Sequence, residues 1–536
     1  MLEPEGAVLD FVQPIGSGFR VAHACGGDPS DGPDSVRILF QAAAARVEAA
    51  RRAVARVWRR RQASSCHRFS ARGLNLPSLS VGVNNLSTSR VWYGFERCPV
   101  ARMARDYIAS AISQAVGLTT AALSLVLVAR WLGPEGRGQY ALLTGGAQVL
   151  ALLGLAGFRT GAIYMGSRGL VGFQTLCRAA EWISLLSGAF VMAAAVVAAA
   201  VFPRLVGGAS WPACLAAFLT IPQLLAAHAL GAVLLSQQRL VRFNVTLIVQ
   251  QIVWLTGLVV VLSFWPSPAP ALFAWMISHT LWVALIRRGL GLPLVPTFAH
   301  MPEAQAFKRV LSFGLQSAVG QVVQLLTYRI SLFVISLHLD AHAVGIYSIA
   351  TVVAEALWQV AASVANVNLP KVSATLDSSL LTRGVGISYR LAVTTIFLVA
   401  VGVALCAPWL VRWCFGSEYL EVVSPLRLLL PGTAMFSITL LLSSDLVARG
   451  YPRLSSAVAL VTLVLSTTLY IVLVPRWGLL GAALAGTVAY TLSTVVMMIV
   501  HFRTTRIPTT RFLFLSPGDL RLLYTFLVRS IGLHRT

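Results

Sequence analysis

The residues that could carry chemistry are the few charges placed inside otherwise apolar runs. Arg329 stands about two-thirds along the run 310–337, and Glu355 stands near the middle of 345–369. A charge at bilayer depth costs roughly 2.5–3.5 kcal/mol on insertion scales, so each needs a function or a partner. Counted from the short segment that joins the two runs, both lie about nine or ten residues deep, roughly 14 Å at the helical rise. They are expected to meet at one level. Two readings stay open: Arg329 as an anion ligand in a central cavity, or an Arg329–Glu355 ion pair that only closes a helical hairpin.

Other polar groups are weaker candidates. Arg159 lies toward the end of its run, where it either points into a cavity or snorkels to the interface. Gln114, Gln321, Gln324, Asn366 and Asn368 either line a polar cavity or hydrogen-bond between helices. Glu181 and Asp445 fall at run ends, where solvation is the ordinary expectation, and His228 and His279 read as satisfied core residues. Pro222 and Pro431 are candidate helix bends, since proline removes a backbone donor inside a helix.

An ATPase and a separate catalytic domain are excluded, while a membrane-embedded polymerase or ligase stays open in principle, though no long external loop offers to hold its acceptor. Neither lysine beyond position 100 follows a glycine, so no P-loop exists: Lys308 follows Phe307 and Lys371 follows Pro370. Seven cysteines form no C-x-x-C pair and no cluster with histidine, so no structural zinc, other metal or cofactor is expected. The longest connection between runs is a couple of dozen residues, too short for a catalytic domain. Nothing points to nucleic acid, because the chain's net charge is +23 but most basic residues past position 100 stand singly in short gaps.

Composition dictates the elements that must position these groups. Of 536 residues 57% are hydrophobic and 11% charged, which water would not hold as a folded monomer. Runs of about 18 or more apolar residues span hydrocarbon as helices. Twelve are predicted, approximately 108–129, 140–165, 179–202, 211–236, 243–265, 269–286, 310–337, 345–369, 391–411, 428–447, 454–474 and 479–502. The fold class is therefore all-α and integral to the membrane. One set of alternate gaps carries thirteen basic residues; the other carries six, Arg130, Arg137, Arg204, Arg412, Arg427 and Arg476. The richer set is expected on the cytoplasmic side, with both ends of the membrane domain.

Residues 1–102 differ in kind, with Gly, Pro and Ser-rich stretches around RRAVARVWRRRQ at 51–62 and no apolar span. They read as an Arg-rich extension, either disordered, lying on anionic lipid, or a start-site artefact with translation beginning at Met103. The remaining divisions are an N-terminal six-helix bundle at 103–305, a C-terminal one at 306–505 and a basic cytoplasmic tail at 506–536.

The two bundles carry an internal repeat. LGPEGRGQY at 132–140 is echoed by LDAHAVGIY at 339–347, so that at an offset of 207 Leu132 matches Leu339, Gly138 matches Gly345 and Tyr140 matches Tyr347. Gln114 and Gln321 share that offset, and Pro222 and Pro431 correspond at 209. Two halves inserted in the same sense are expected to enclose a substrate site.

These motifs, with WGLLGAALA at 477–485, resemble those of the Wzx-type polysaccharide-biosynthesis flippases of the multidrug/oligosaccharidyl-lipid/polysaccharide exporter superfamily, over about 103–505. The resemblance implies two six-helix bundles in a V around a central cavity. It implies transport, by alternating access, of a polyprenyl-pyrophosphate-linked oligosaccharide across the cytoplasmic membrane for polysaccharide or lipopolysaccharide biosynthesis. Membrane lipid and other polysaccharide-assembly proteins are its implied partners. A cation-coupled multidrug exporter, a lipid II flippase and a non-transporting scaffold for glycan synthesis remain alternatives.

Overall fold

Hydrocarbon offers no partner to backbone N–H and C=O groups, so a segment that crosses it must satisfy them within itself. The computed structural model describes residues 99–296, 301, 303–374 and 379–507, and the extension before them and the tail after them lie outside the described residues. Within these, the regular structure is helical: α1 Pro99–Leu155, α2 Phe158–Ser167, α3 Phe173–Val201, α4 Trp211–Ser236, α5 Leu240–Phe264 and α6 Pro268–Leu290, then α7 Ala304–His338, α8 Ala341–Glu355, α9 Trp358–Ala374, α10 Ser379–Cys414, α11 Val423–Ala448 and α12 Pro452–Thr505.

Ten segments are long and apolar enough to cross a membrane. Two are too long to cross once: 44 residues from Ile112 in α1 and 54 in α12, about 66 and 81 Å at the helical rise against about 30 Å of hydrocarbon. Each contains one non-helical residue, Gly133 at φ 67° and Gly478 at φ 57°. A left-handed φ costs glycine nothing, which is why the chain can reverse there. The reversal in α12 is plain from its contacts: the hydroxyls of Thr462 and Ser493 hydrogen-bond, and Tyr470 reaches Gly486. With these two counted twice, the described residues offer the twelve crossing segments expected.

Two apolar cores form. One is built from α1 to α6 around Phe158, Leu225, Leu234 and Ile286; the other from α7 to α12 around Ile335, Tyr347, Leu426, Leu442 and Ala482. The helices at the head of each half reach into the other: Ala129 and Leu142 of α1 join the second core, and Ala306 and Val310 of α7 join the first. Leucine, valine and phenylalanine cover the lateral surface, as lipid contact requires. Every exposed tryptophan among the described residues, Trp131, Trp211, Trp265, Trp409, Trp413 and Trp477, belongs to the set of helix ends with fewer basic residues. Amphipathic indoles gathered at one level mark a membrane interface there.

The halves touch at this end through the repeated glycines. A Cβ on Gly138 would overlap the carbonyl oxygen of Ala341, and one on Gly345 would overlap that of Pro134. Ala341 stands 207 residues after Pro134, as Gly345 does after Gly138, so the contact is reciprocal between repeat partners. Two of the basic residues here donate to carbonyls of α10: Arg130 from Nε to that of Cys414 at 2.7 Å and from Nη2 to that of Trp413, both at the helix end, and Arg427 from Nε to that of Ala404 at 2.8 Å, within the helix. The first places a cation at the negative end of α10. The proposed bends at Pro222 and Pro431 lie inside α4 and α11, each of which continues as one helix through its proline.

Gly138→Ala and Gly345→Ala are expected each to destabilise the purified protein by about 1–3 kcal/mol, the range for overpacking. Gly402→Ala, where nothing stands within 4 Å, should be neutral or stabilising by up to about 1 kcal/mol. Thermal unfolding of the three variants checks this, and equal loss in all three would remove the close contact as the cause.

Candidate functional site

The second arm of α1, residues 134–155, continues through α2 as one wall of a seam, with α7 as the other. The two run antiparallel. Gly161 lies against Val310, Gly157 against Gly314, Gly145 against the Arg329 side chain and Gly146 against Phe333. At Gly157 and Gly314 the backbones meet so closely that a Cβ on either would overlap the other's carbonyl oxygen. The seam is thus closed at this end by Gly157–Gly314 and at the other by Gly138–Gly345.

Between them lies a cavity of about 240 Å³, lined by Gln148, Arg159, Thr160, His228 and Gln321 among apolar neighbours. Gln321, Leu325 and Arg329 fall at four-residue intervals and share one face of α7, so Arg329 stands two turns further along the same wall. Gln321 donates to the Thr160 hydroxyl across the seam at 3.4 Å.

Arg159 owes its position to a break in the helix. Ala156 and Gly157 take φ of 44° and 80°, ending α1 and starting α2, and Arg159 is the second residue of the new helix. A cation at a helix N-terminus gains nothing from the helix dipole, whose positive end is there. Among the described residues it has no ion-pair partner. An exposed guanidinium, the α2 N-terminus and two amides therefore add up to a positive, hydrogen-bonding cavity without a resident anion.

Arg329 and Glu355 meet, as their depths imply, with Arg329 Nη1 3.9 Å from Glu355 Oε2 and both half-buried. This is longer than the 2.7–2.9 Å of a charge-assisted hydrogen bond. The Arg329 Nε has no hydrogen-bond partner among the described residues. Elsewhere the charges are held tightly, which corrects the expectation of solvation for Glu181 and Asp445. Glu181 pairs with Arg287 at 2.7 Å, and Asp445, 1% exposed, bonds Arg449 at 2.7 Å and His501 at 2.8 Å.

The other candidates divide. Gln114 is exposed on the first arm of α1 and does not line the cavity. Gln324 donates to Tyr328 within α7 at 2.7 Å, Asn368 to Ser388 on α10 at 2.7 Å, and Asn366 is exposed. His279 is buried with Nδ1 2.9 Å from the Trp275 carbonyl, whereas His228 reaches the cavity with its ring edge-on to Trp282. Sequence reasoning did not single out Gln148 and Thr160 or place His228 on the cavity wall. The Ala156–Gly157 break that sets this wall carries no proline to signal it.

A family model described as a polysaccharide biosynthesis protein matches residues 127–424, more than half the chain. The chain belongs to that family. No curated protein sequence matches it. Among solved structures, the family fold seen here is similar to that of the lipid II flippase MurJ in an inward closed conformation, with a TM-score of 0.61 at 16% identity over 80% of this chain and 93% of that one. It is also similar to multidrug resistance MATE family transporters of the MOP superfamily. An outward-facing one gives a TM-score of 0.53 at 16% identity, covering 76% and 97% of the two chains; an inward-facing one gives 0.54 at 16%, covering 72% and 93%. The fold of this family member is thus that of membrane transporters.

The long ion pair, with side chains 25% and 18% exposed, sets an expectation. Arg329→Gln should lower stability by no more than about 1 kcal/mol, as for a weakly coupled pair. A tightly buried pair would lose about 3–5 kcal/mol and regain it on adding Glu355→Gln. Thermal unfolding of the single and double variants distinguishes the two, and rescue by the second change would make Arg329 a structural partner only.

Proposed function

We propose that this protein flips a polyprenyl-pyrophosphate-linked oligosaccharide from the inner to the outer leaflet of the cytoplasmic membrane, and catalyses no bond chemistry. The observation that carries the reading is the seam cavity beside the Gly157–Gly314 contact, lined by an arginine that has no ion-pair partner among the described residues, with amide and hydroxyl groups beside it. Guanidinium forks suit the pyrophosphate and Arg159 is the first candidate, with Arg329 two turns away along the route. Gln148, Thr160 and Gln321 suit sugar hydroxyls. The polyprenyl chain stays in lipid.

A cavity of about 240 Å³ is small for an oligosaccharide. Loading and release therefore require one closing contact to part at a time, which is alternating access. The halves that part are read as six-helix bundles related by the parallel repeat, a reading supported by the reciprocal Gly138–Gly345 contact and the two separate cores. With thirteen basic residues against six, the Gly157–Gly314 end faces the cytoplasm and the tryptophan-bearing end faces outward. With the cell interior negative, each negative charge carried outward gains about 2.3 kcal/mol per 100 mV.

Reconstituted vesicles bearing a labelled lipid-linked oligosaccharide test this. Arg159→Gln should insert and fold normally yet lose transport by about tenfold or more, as for loss of one charged hydrogen bond. Wild-type rates in that variant would remove Arg159 from the site, and no movement of the lipid by the unaltered protein would leave a scaffold instead. A single cysteine between Trp265 and Ala269 should react with an impermeant reagent only from outside; reaction only from the cytoplasm would reverse the orientation.

A further inference from the structure

A second cavity lies on the opposite face of α4. Leu224 and His228 face the seam, whereas Pro222, Gln223 and Ala226 face a cleft of about 290 Å³ between α3 and α6. Its polar corner is the Glu181–Arg287 pair, with side chains 8% and 3% exposed. Arg287 spends Nη1 on Glu181 at 2.7 Å and Nε on the Pro293 carbonyl at 2.6 Å. Its Nη2 is buried without a hydrogen-bond partner, and so is Oε1 of Gln223 on the facing helix. A buried donor of a charged group left unmade is expensive, and here a donor and an acceptor are left unmade in one cleft.

We propose that this cleft binds the neutral hydroxyl headgroup of a membrane lipid, the hydroxyl oxygen accepting from Arg287 Nη2 while its proton is donated to Gln223 Oε1. A hydroxyl has both an oxygen to accept from the first orphan and a proton to offer the second, which an aliphatic group or an ammonium does not. An anionic headgroup is disfavoured, because Glu181 already neutralises Arg287 at 2.7 Å and would repel a second anion in a low-dielectric site. Water alone fills the polar corner but not the rest. The cleft far exceeds the roughly 10–15 Å³ that one water needs, and its remaining walls are mostly apolar. Leu185 and Leu294 at its rim are 40% and 51% exposed, so an acyl chain would continue from the cleft onto the lipid-facing surface. Arg287 lies in the last turn of α6, at the level where a lipid's glycerol hydroxyl meets the interface.

The full-length protein in phospholipid vesicles, doped with a diacylglycerol carrying a photoreactive diazirine beside the glycerol, provides the test. Peptide mapping should find adducts on the cleft residues of α3, α4 and α6 well above those on other lipid-facing helices. Gln223→Leu should cut them about tenfold, and so should Thr280→Trp, which fills the mouth from an exposed position and serves where the first variant folds poorly. Phosphatidic acid with the same diazirine should label at least tenfold less. Labelling no higher than on other helices would mean a cleft holding water only, equal or stronger labelling by phosphatidic acid would mean an anion site, and unchanged labelling in folded variants would dissolve the assigned contacts; each overturns the proposal. The readout needs no transport, so it stands or falls separately from the flippase reading.

Discussion

Two helices can seal a membrane passage only as closely as their side chains allow, and here the sealing contacts are backbone to backbone. Gly138 with Gly345, and Gly157 with Gly314, leave no room for a Cβ. In lipid there is no hydrophobic force to press helices together, so association depends on van der Waals contact, which small residues bring to its shortest range. Such contacts also part without unsatisfying a side chain, since none is there. A tight seal that separates cheaply is what a gated passage needs, and the antiparallel course of α7 against α1 and α2 follows from holding both seals at once.

The same physics sorts the charges. Inside each half, Glu181–Arg287 and Asp445–Arg449–His501 satisfy one another at hydrogen-bond distance, as buried charges must. In the seam, Arg159 has no ionic partner and Arg329 holds Glu355 only at 3.9 Å. The ion pairs inside each half are in close contact, and the two seam arginines are not held by one. The contrast separates the two kinds without reference to any relative, and it explains why the helix break before Arg159 matters: the α2 N-terminus concentrates positive potential where an unpaired guanidinium already sits.

Much of this was legible in the sequence because it depends on local pattern. The twelve crossings follow from run length, including the reversal at Gly478 that joins two runs into one continuous helical stretch. The meeting of Arg329 and Glu355 follows from counting helical rise from a shared connection, whereas the 207-residue repeat paired Gly138 with Gly345 without implying that they touch. What stayed hidden depends on partners distant in the chain or on breaks without a proline. Glu181 looked solvated because Arg287 lies on another helix, more than a hundred residues away. The Ala156–Gly157 break carries no proline, while Pro222 and Pro431, which drew attention as bends, sit inside helices that continue.

α4 links these observations. Its seam face supplies His228 to the seam cavity and its outer face supplies Gln223 to the lipid-facing cleft, with Pro222 beside Gln223 in the cleft wall. Proline leaves the carbonyl four residues earlier without its helical donor, so α4 is softest at the level where it separates the two cavities. A helix soft at one level yields there first when either side is filled. Occupancy of the cleft and width of the passage would then not be independent, although they share no residue. That coupling would need only the two arrangements of α4 to differ in free energy with the cleft full or empty, and no chain of contacts across the bundle.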